Sequence, residues 1–413
     1  MDVVIEGKAF INGEIKKCCI GIEEGKIVSI KKILHGKKHY DCGDALLFPA
    51  AIDVHVHFRD PGMTEKEDFF TGTRAAAYGG ISCIFDMPNN SPPTIRKEYL
   101  EKKVRVARNK ACVDFAFYGG IGKGSNVEAL AKICKAFKIY LCKSNEIFVP
   151  LEKLRDILKR VKKTGKILAI HAEDEKCLIK EKASNLAEYE KRRPIKCEIS
   201  ALHQIIKSNE EIGAPIHICH ISSLQGIEIA HKKASIGITP HHMLLSSSSS
   251  FPLPAMGKVN PPLRNNDERK KLWNAMKNGM ISIIESDHAP HLLQEKERFQ
   301  DAPPGMPGVD AMLPILLFMV KKGKISLSLV HSLMCSNPAR IFGIKKGKIE
   351  VGRDADILAI NFKEKEVVSH SKCGWSCYEG WKGVYPSHFW LRGERIIEEG
   401  EFTGFKSMGK MIP

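Results

Sequence analysis

The chain has 413 residues, 43% hydrophobic and 27% charged, with a formal net charge of +16. This is the balance of a water-soluble globular protein with length for a barrel-sized core or two to three ordinary domains. No run approaches the ~20 apolar residues of a membrane span; the most apolar, Leu313–Val320, is short and contains Pro314, and the start, MDVVIEGKAF, lacks the basic-then-apolar pattern of an export signal. The 13 cysteines include no CxxC pair, which fits reduced thiols and a cytoplasmic setting. The lysines form dispersed pairs (Lys37-Lys38, Lys102-Lys103, Lys162-Lys163, Lys270-Lys271) without interleaved aromatics. Neither a nucleic-acid nor a membrane partner is therefore expected, and the positive field suits an acidic small molecule.

In chain order, VVIEGKAFI, a turn at Asn12-Gly13, EIKKCCIGIE, a turn at Glu24-Gly25 and KIVSI predict a β-meander. The C-terminal end is similar (KIEVG, DADILAI, HFWLRGERIIEEGEF). Neither end can bury a face alone, so residues 1–48 and 345–413 are expected to pair as one small β-sandwich. Between them, residues 49–344 hold eight apolar runs: LLFPAAIDVHVH, ISCIFDMPN, VDFAFYGG, FKIYL, KILAIHAE, PIHICHIS, SIGITPHH and ISIIESDHAPH. Helical stretches separate them. The first is expected over Thr64–Tyr78, started by Thr64 and Glu67 at capping-box spacing and ended by Gly79-Gly80. Others are expected over Asn126–Ala136, Leu151–Lys163, Glu198–Glu211 and Asp267–Lys277. Eight strand–helix units in this length predict an α/β fold, a (β/α)8 TIM barrel; a doubly wound open sheet is the structural alternative.

The chemistry-bearing residues fall at the ends of these runs. His55 and His57 end the first, and strand alternation puts them on one face about 7 Å apart. Lys138, His171, His220 and Asp287 lie at or near the C-terminal ends of four later runs. In a barrel these ends share the active-site rim. Isolated, each histidine reads as a packed core residue; gathered on one rim they read as a metal site. Imidazoles with carboxylates suit Zn²⁺, with Co²⁺ or Mn²⁺ as alternatives, and the ligands are numerous enough for two ions. An ammonium cannot ligate a cation, so Lys138 is either a salt-bridging lysine or a carbamate formed with CO2.

At this point the sequence resembles dihydroorotases of the amidohydrolase superfamily over nearly its whole length. Ile52–Gly62 (IDVHVHFRDPG) is similar to the family's first metal-ligand signature. The segments DMPNNSPPT from Asp86, KIYL from Lys138, HICH from His217, VNPPLR from Val259, SDHAPHLLQEK from Ser286, PPGMPGVDAMLPIL from Pro303 and NPARIFG from Asn337 resemble later family segments in order. Ala50 stands where relatives often have glycine.

The resemblance implies that His55 and His57 hold a first zinc ion and that His171 and His220 hold a second. Lys138 bridges both as a carbamate, and Asp287 ligates the first ion and shuttles protons as general acid and base to a hydroxide between the metals. Arg59 and Asn89 grip a substrate carboxylate, with further contacts from His291, Asn260 and the Pro304-Gly305 backbone; Arg264 resembles an arginine given the same role in some relatives. The implied reaction is reversible cyclisation of N-carbamoyl-L-aspartate to (S)-dihydroorotate and water, in de novo pyrimidine synthesis. Allantoinase and dihydropyrimidinase are the rival activities, and an inactive dihydroorotase-like scaffold the rival class. A homodimer or association with a pyrimidine-pathway enzyme is a further expectation. Cys219, beside His220, is expected to be a buried structural cysteine with its thiol turned away, and His241-His242 to support the ligands.

Overall fold

The computed structural model describes residues 1–143 and 146–413. The N-terminal meander is present as β1 (Val3–Ile11), β2 (Glu14–Glu23) and β3 (Lys26–Lys31), followed by β4 (Lys38–Pro49). Both tight turns place two residues at positive φ: Asn12 and Gly13 at 51° and 87°, Glu24 and Gly25 at 49° and 78°. This geometry matches the twist of the strands they join.

Barrel strands follow: β5 (Ala51–Val56), β6 (Ile81–Asp86), β7 (Asp114–Gly120), β8 (Ala136–Tyr140), β9 (Leu168–His171), β10 (Ile216–Ile218), β11 (Ser235–Ile238) and β12 (Ile283–Ile284). They pair in parallel in sequence order. The Val56–His288 bridge and the His57 N–H bond to the His288 carbonyl (2.8 Å) close the cylinder. All eight expected runs are strands, and the open-sheet alternative is excluded. From β5 to β10 every residue is buried, as expected for a parallel sheet covered on both faces. Alternation divides them: Ile52, Val54, Phe85, Tyr118, Ala136 and Ala169 fill the cylinder, whereas Ile84, Phe117, Phe137, Ile139 and Ile170 face the surrounding helices.

The first barrel helix spans Phe69–Tyr78 and is capped by Asp68, not Thr64. The Thr64/Glu67 signal fails because Glu67 has other partners: it is buried and accepts from Thr71, from Ser371 and from the Lys372 N–H. Gly79 ends the helix as expected. The remaining expected helices occupy Val127–Ala131, Leu154–Thr164, Ile195–Asn209 and Asn266–Lys277.

At the C-terminal end, β13 (Ile357–Ile360), β16 (His388–Leu391), β17 (Glu394–Glu398) and β18 (Glu401–Phe402) join the N-terminal strands in one sheet, ordered β18-β17-β16-β13-β4-β1-β2-β3. One face encloses Ile5, Ala9, Ile20, Leu47, Ile357 and Trp390. Between β13 and β16 the chain forms a small ladder, β14 (Glu364–Glu366) with β15 (Lys382–Val384). The connecting stretch packs Trp375, Cys377 and Tyr378 against Val259, Met306 and Ile315 of the barrel. Below the barrel, buried Lys346 binds Asp114, Asp354 and Asp356 at 2.6, 3.0 and 2.7 Å, joining β7 to the terminal sheet. No helix among the described residues is long and apolar enough to cross a membrane.

Candidate active site

The site forms where the barrel closes. In β5 the pairing register with β6 shifts between Asp53 and Val56. Such an irregularity re-aims the following side chains: Val54 points into the cylinder and Val56 outward, so His55 and His57 turn to the rim. Asp53 secures the seam by accepting the N–H groups of His55 and Ser286 at 3.2 and 3.1 Å; burial pushes its carboxyl up to about 7. Three non-glycine residues at the site hold positive φ: Arg59 at 60°, His220 at 34° and Asp287 at 48°. That conformation costs on the order of 1–3 kcal/mol per residue and persists where the surroundings enforce it.

The Nε2 atoms of His55 and His57 lie 3.3 and 3.1 Å from the same Asp287 oxygen. His171 Nδ1 lies 3.1 Å from His220 Nε2, and the His55 ring centroid is 5.1 Å from that of His220. The structure thus brings His55, His57, His171, His220 and Asp287 into one buried cluster. Lys138 belongs to the same interior row as Ala136 and is fully buried. Its Nζ lies 3.0 Å from Cys219 Sγ and makes no ion pair among the described residues. The expected outward turn of the Cys219 thiol is therefore corrected: Cys219 occupies an interior position, and the left-handed backbone at His220 aims the next side chain inward as well. Cys219 is buried as expected, which pushes its thiol up to about 12.

Charge and protonation suit cation binding. Burial and the Lys138 charge bring His55 down to about 4. Burial lowers His171 against the opposing pull of Glu173, burial and the neighbouring positive groups lower His220, and burial lowers His57. Neutral imidazoles keep a lone pair for a metal. Burial alone would raise Asp287, but His55 and His57 more than offset it and hold the carboxyl below its ordinary range. Among the described residues, both ring nitrogens of His55, with His220 Nδ1 and His241 Nε2, are buried without a well-aligned hydrogen bond, although the His55 nitrogens stand 3.5 and 3.3 Å from oxygens of Glu285 and Asp287. Buried polar atoms are rarely left so. The donor groups His55–His57–Asp287 and His55–Cys219–Glu285, each with ligand atoms within 4.8 Å of one another, fit a divalent cation.

Supporting contacts surround the cluster. Asn89 Oδ1 lies 2.6 Å from His57 Nδ1, fixing the tautomer that frees Nε2. Its loop is pinned by buried Lys103, which binds the Met87 carbonyl and Asn90 Oδ1 at 2.6 Å each. Glu173 accepts from His171 Nε2 at 2.7 Å and pairs with Arg193. Glu285 accepts the His220 N–H at 2.6 Å, with its other oxygen 3.2 Å from His217. Glu173, Arg193 and Glu285 were not expected from the sequence, although Glu173 lies two residues past His171 and Glu285 two before Asp287, the spacing that relates His55 to His57. His242 ties Thr239 to the Pro261 carbonyl, a supporting role.

A cavity of about 430 Å³ opens over the cluster, lined by His57, Arg59, Asn89, Tyr140, His171, Arg193, His220, Asn260, Asp287, His291, Pro304 and Gly305 among others. Arg59, Asn89, Asn260, His291, Pro304 and Gly305, the positions expected to meet substrate, therefore all face it. Arg59 is buried, with Nε bonded to the Pro290 carbonyl at 3.1 Å and Nη2 3.1 Å from His291. Asn260 Oδ1 accepts from Tyr189 at 2.6 Å. Arg264, whose contact with substrate the resemblance left open, does not line the cavity. Its guanidinium is consumed by Ser222 Oγ (3.1 and 2.9 Å) and by the Arg193 carbonyl (2.6 Å), so it positions Arg193 instead.

A barrel with a histidine- and carboxylate-rich rim above a polar cavity is the design of a hydrolase, and comparison with known proteins agrees. The model described as Amidohydrolase family matches residues 46–383, and the chain belongs to that family. Within it the protein is an enzyme of the cyclic amide hydrolase class. A dihydroorotase from Methanosarcina acetivorans is 36% identical over 98% of this chain and 94% of that protein. One from Thermoplasma volcanium is 34% identical over 100% and 98%. Among solved structures, the L-hydantoinase (dihydropyrimidinase) from Arthrobacter aurescens superposes with a TM-score of 0.94 at 27% identity, covering 99% of each chain.

Proposed function

We propose that the protein is a dihydroorotase, opening (S)-dihydroorotate to N-carbamoyl-L-aspartate and closing it again. The observation that carries this reading is Arg59: a buried guanidinium facing the cavity with no carboxylate partner among the described residues. Burial lowers its pKa, so the cation calls for an anion supplied by the substrate. Dihydroorotate carries a ring carboxylate there; hydantoins and dihydrouracil do not. Asn89 supports the same reading, because His57 takes its Oδ1 and its Nδ2 makes no hydrogen bond among the described residues.

In this reading His55, His57 and Asp287 would hold one divalent ion and His171 and His220 a second, and Lys138, as a carbamate, would supply a further anionic ligand to them. The lysine environment fits: a buried amine without a carboxylate partner is costly as a cation, and the carbamate is an anion. Bound ions, zinc by default, supply Lewis acidity toward the ring amide carbonyl and lower the pKa of water. Asp287, ionised at neutral pH, takes a proton from the attacking water at Oδ1 and delivers it to the ring nitrogen as the C–N bond breaks. In the closing direction it takes the proton from the ureido nitrogen and gives it to the departing water. Arg59, Asn89 and His291 orient the ring through its carboxylate.

Steady-state hydrolysis of dihydroorotate, dihydrouracil and hydantoin by the metal-loaded protein tests the reading. The expected result is a kcat/KM at least about 100-fold higher for dihydroorotate, the scale of one buried charge pair. Preference for either ring lacking the carboxylate refutes it in favour of the activity named for the structural neighbours.

A further inference from the structure

His291 is enclosed by groups that decide which of its nitrogens carries the proton. Nδ1 lies 3.3 Å from Lys66 Nζ, a group that only donates. Lys66 is anchored to Glu295 Oε1 at 2.6 Å. The other Glu295 oxygen is 3.6 Å from Nδ1 and already accepts the Leu292 N–H at 2.9 Å, so it is too distant to take a proton from the ring. Both nitrogens thus face a donor, Lys66 at Nδ1 and Arg59 Nη2 at 3.1 Å from Nε2, but among the described residues only Nε2 also has an acceptor in reach, the Pro304 carbonyl at 3.2 Å, which places the hydrogen of the neutral ring on Nε2 and leaves Nδ1 to accept from Lys66. Burial, with the charges of Arg59, Lys296 and Lys66, keeps the ring neutral.

This assignment sets two donors, His291 Nε2–H and Arg59 Nη2, only 3.1 Å apart at the cavity wall. An anion accepting from both resolves that opposition. The C-terminal stretch holds the arrangement from behind. Trp375 Nε1 donates to the His291 carbonyl at 2.7 Å. Its ring centroid lies 5.8 Å from Lys296 Nζ, which binds the Pro303 and Gly305 carbonyls at 2.7 Å each.

We propose that Lys66 is a positioning residue that fixes His291 in the Nε2–H tautomer, so that His291 and Arg59 together donate to the carboxylate of the substrate, and that Trp375 holds the His291 backbone for that contact. The substrate half of this inference rests on the function proposed above; the tautomer half does not.

The test is ¹⁵N NMR of the histidine-labelled holoenzyme, with the His291 signals identified by their loss in His291→Gln, alongside dihydroorotate kinetics. The wild type is expected to show His291 protonated at Nε2. Lys66→Met is expected to shift the ring toward the Nδ1–H form and raise KM about tenfold, the scale of one charge-assisted hydrogen bond, with kcat within about twofold. Lys66→Arg restores both readouts, and Glu295→Gln, which loosens Lys66, gives an intermediate spectrum. Trp375→Phe, which keeps the ring and removes the donor, raises KM about threefold with the tautomer unchanged. An Nδ1–H signal in the wild type, or an unchanged spectrum and KM in Lys66→Met, overturns the proposal. An Nε2–H signal in an enzyme that does not open dihydroorotate supports the tautomer assignment and refutes the proposed substrate.

Discussion

Replacing Arg59 by methionine removes the guanidinium while keeping a side chain of similar reach. Methionine meets the same left-handed backbone as arginine, so the φ of 60° does not discriminate against the variant. Arg59 is only 7% exposed, and among the described residues no carboxylate lies within ion-pair distance of it, Asp287 acting on its charge only from farther off, so much of its electrostatic value waits for substrate. Truncating one partner of a buried hydrogen-bonded charge pair costs about 2–5 kcal/mol, which at about 1.4 kcal/mol per decade is a loss between about thirtyfold and a few thousandfold. We expect kcat/KM for dihydroorotate to fall about 10²–10³-fold, mostly through KM. The control is dihydrouracil, which has the ring amide without the carboxylate; its slow hydrolysis should change less than about threefold. Metal content measured on both proteins guards against an indirect effect through His57. Equal losses on both substrates would refute the reasoning, because Arg59 would then serve the fold or the ligands, not the carboxylate.

Glu173→Ala, which frees His171 Nε2 and strands Arg193, should weaken metal affinity about 10–100-fold in a competition titration with a chelator. The metal-free protein should lose stability in mild acid. His55 stands at about 4, below its ordinary value of 6.5, so the unfolded chain binds the proton more readily. Its contribution, about 3 kcal/mol, is fully present above pH 6.5 and is lost as the pH falls toward 4; the depressed Asp287 carboxyl extends the loss further into acid. Melting curves between pH 7 and 4 check the sign, and added zinc, which binds only the deprotonated ligands, should raise stability most near pH 7 and steepen the dependence. Lys346→Met leaves Asp114, Asp354 and Asp356 buried without their shared cation, and should cost about 3–5 kcal/mol in chemical denaturation with little effect on KM.

The barrel was legible because its strands are buried on both sides and therefore read as eight unbroken apolar runs, each with its polar residues at one end. The meander turns were legible because asparagine-glycine and glutamate-glycine match the backbone they require. The start of the first barrel helix was not, since Glu67 is taken by Ser371 and Lys372, residues about 300 positions away whose approach leaves no local trace. The proposed ligands His55, His57, Lys138, His171, His220 and Asp287 could be picked out from chemistry at strand ends. Their supports could not be read as easily. Lys103 and Lys296 look like ordinary surface cations in the sequence, and only the fold shows that each is buried and holds backbone carbonyls, side-chain oxygens or both. Cys219 was misread because regular alternation was assumed through His220, where the chain turns left-handed.

The most direct test of the central claim is metal analysis of the purified protein together with ring closure of N-carbamoyl-L-aspartate, before chelation, after it, and after zinc is returned in bicarbonate buffer. The account predicts two ions per chain, loss of nearly all turnover when they are removed, and recovery when they are restored. Undiminished ring closure by protein freed of metal would contradict it.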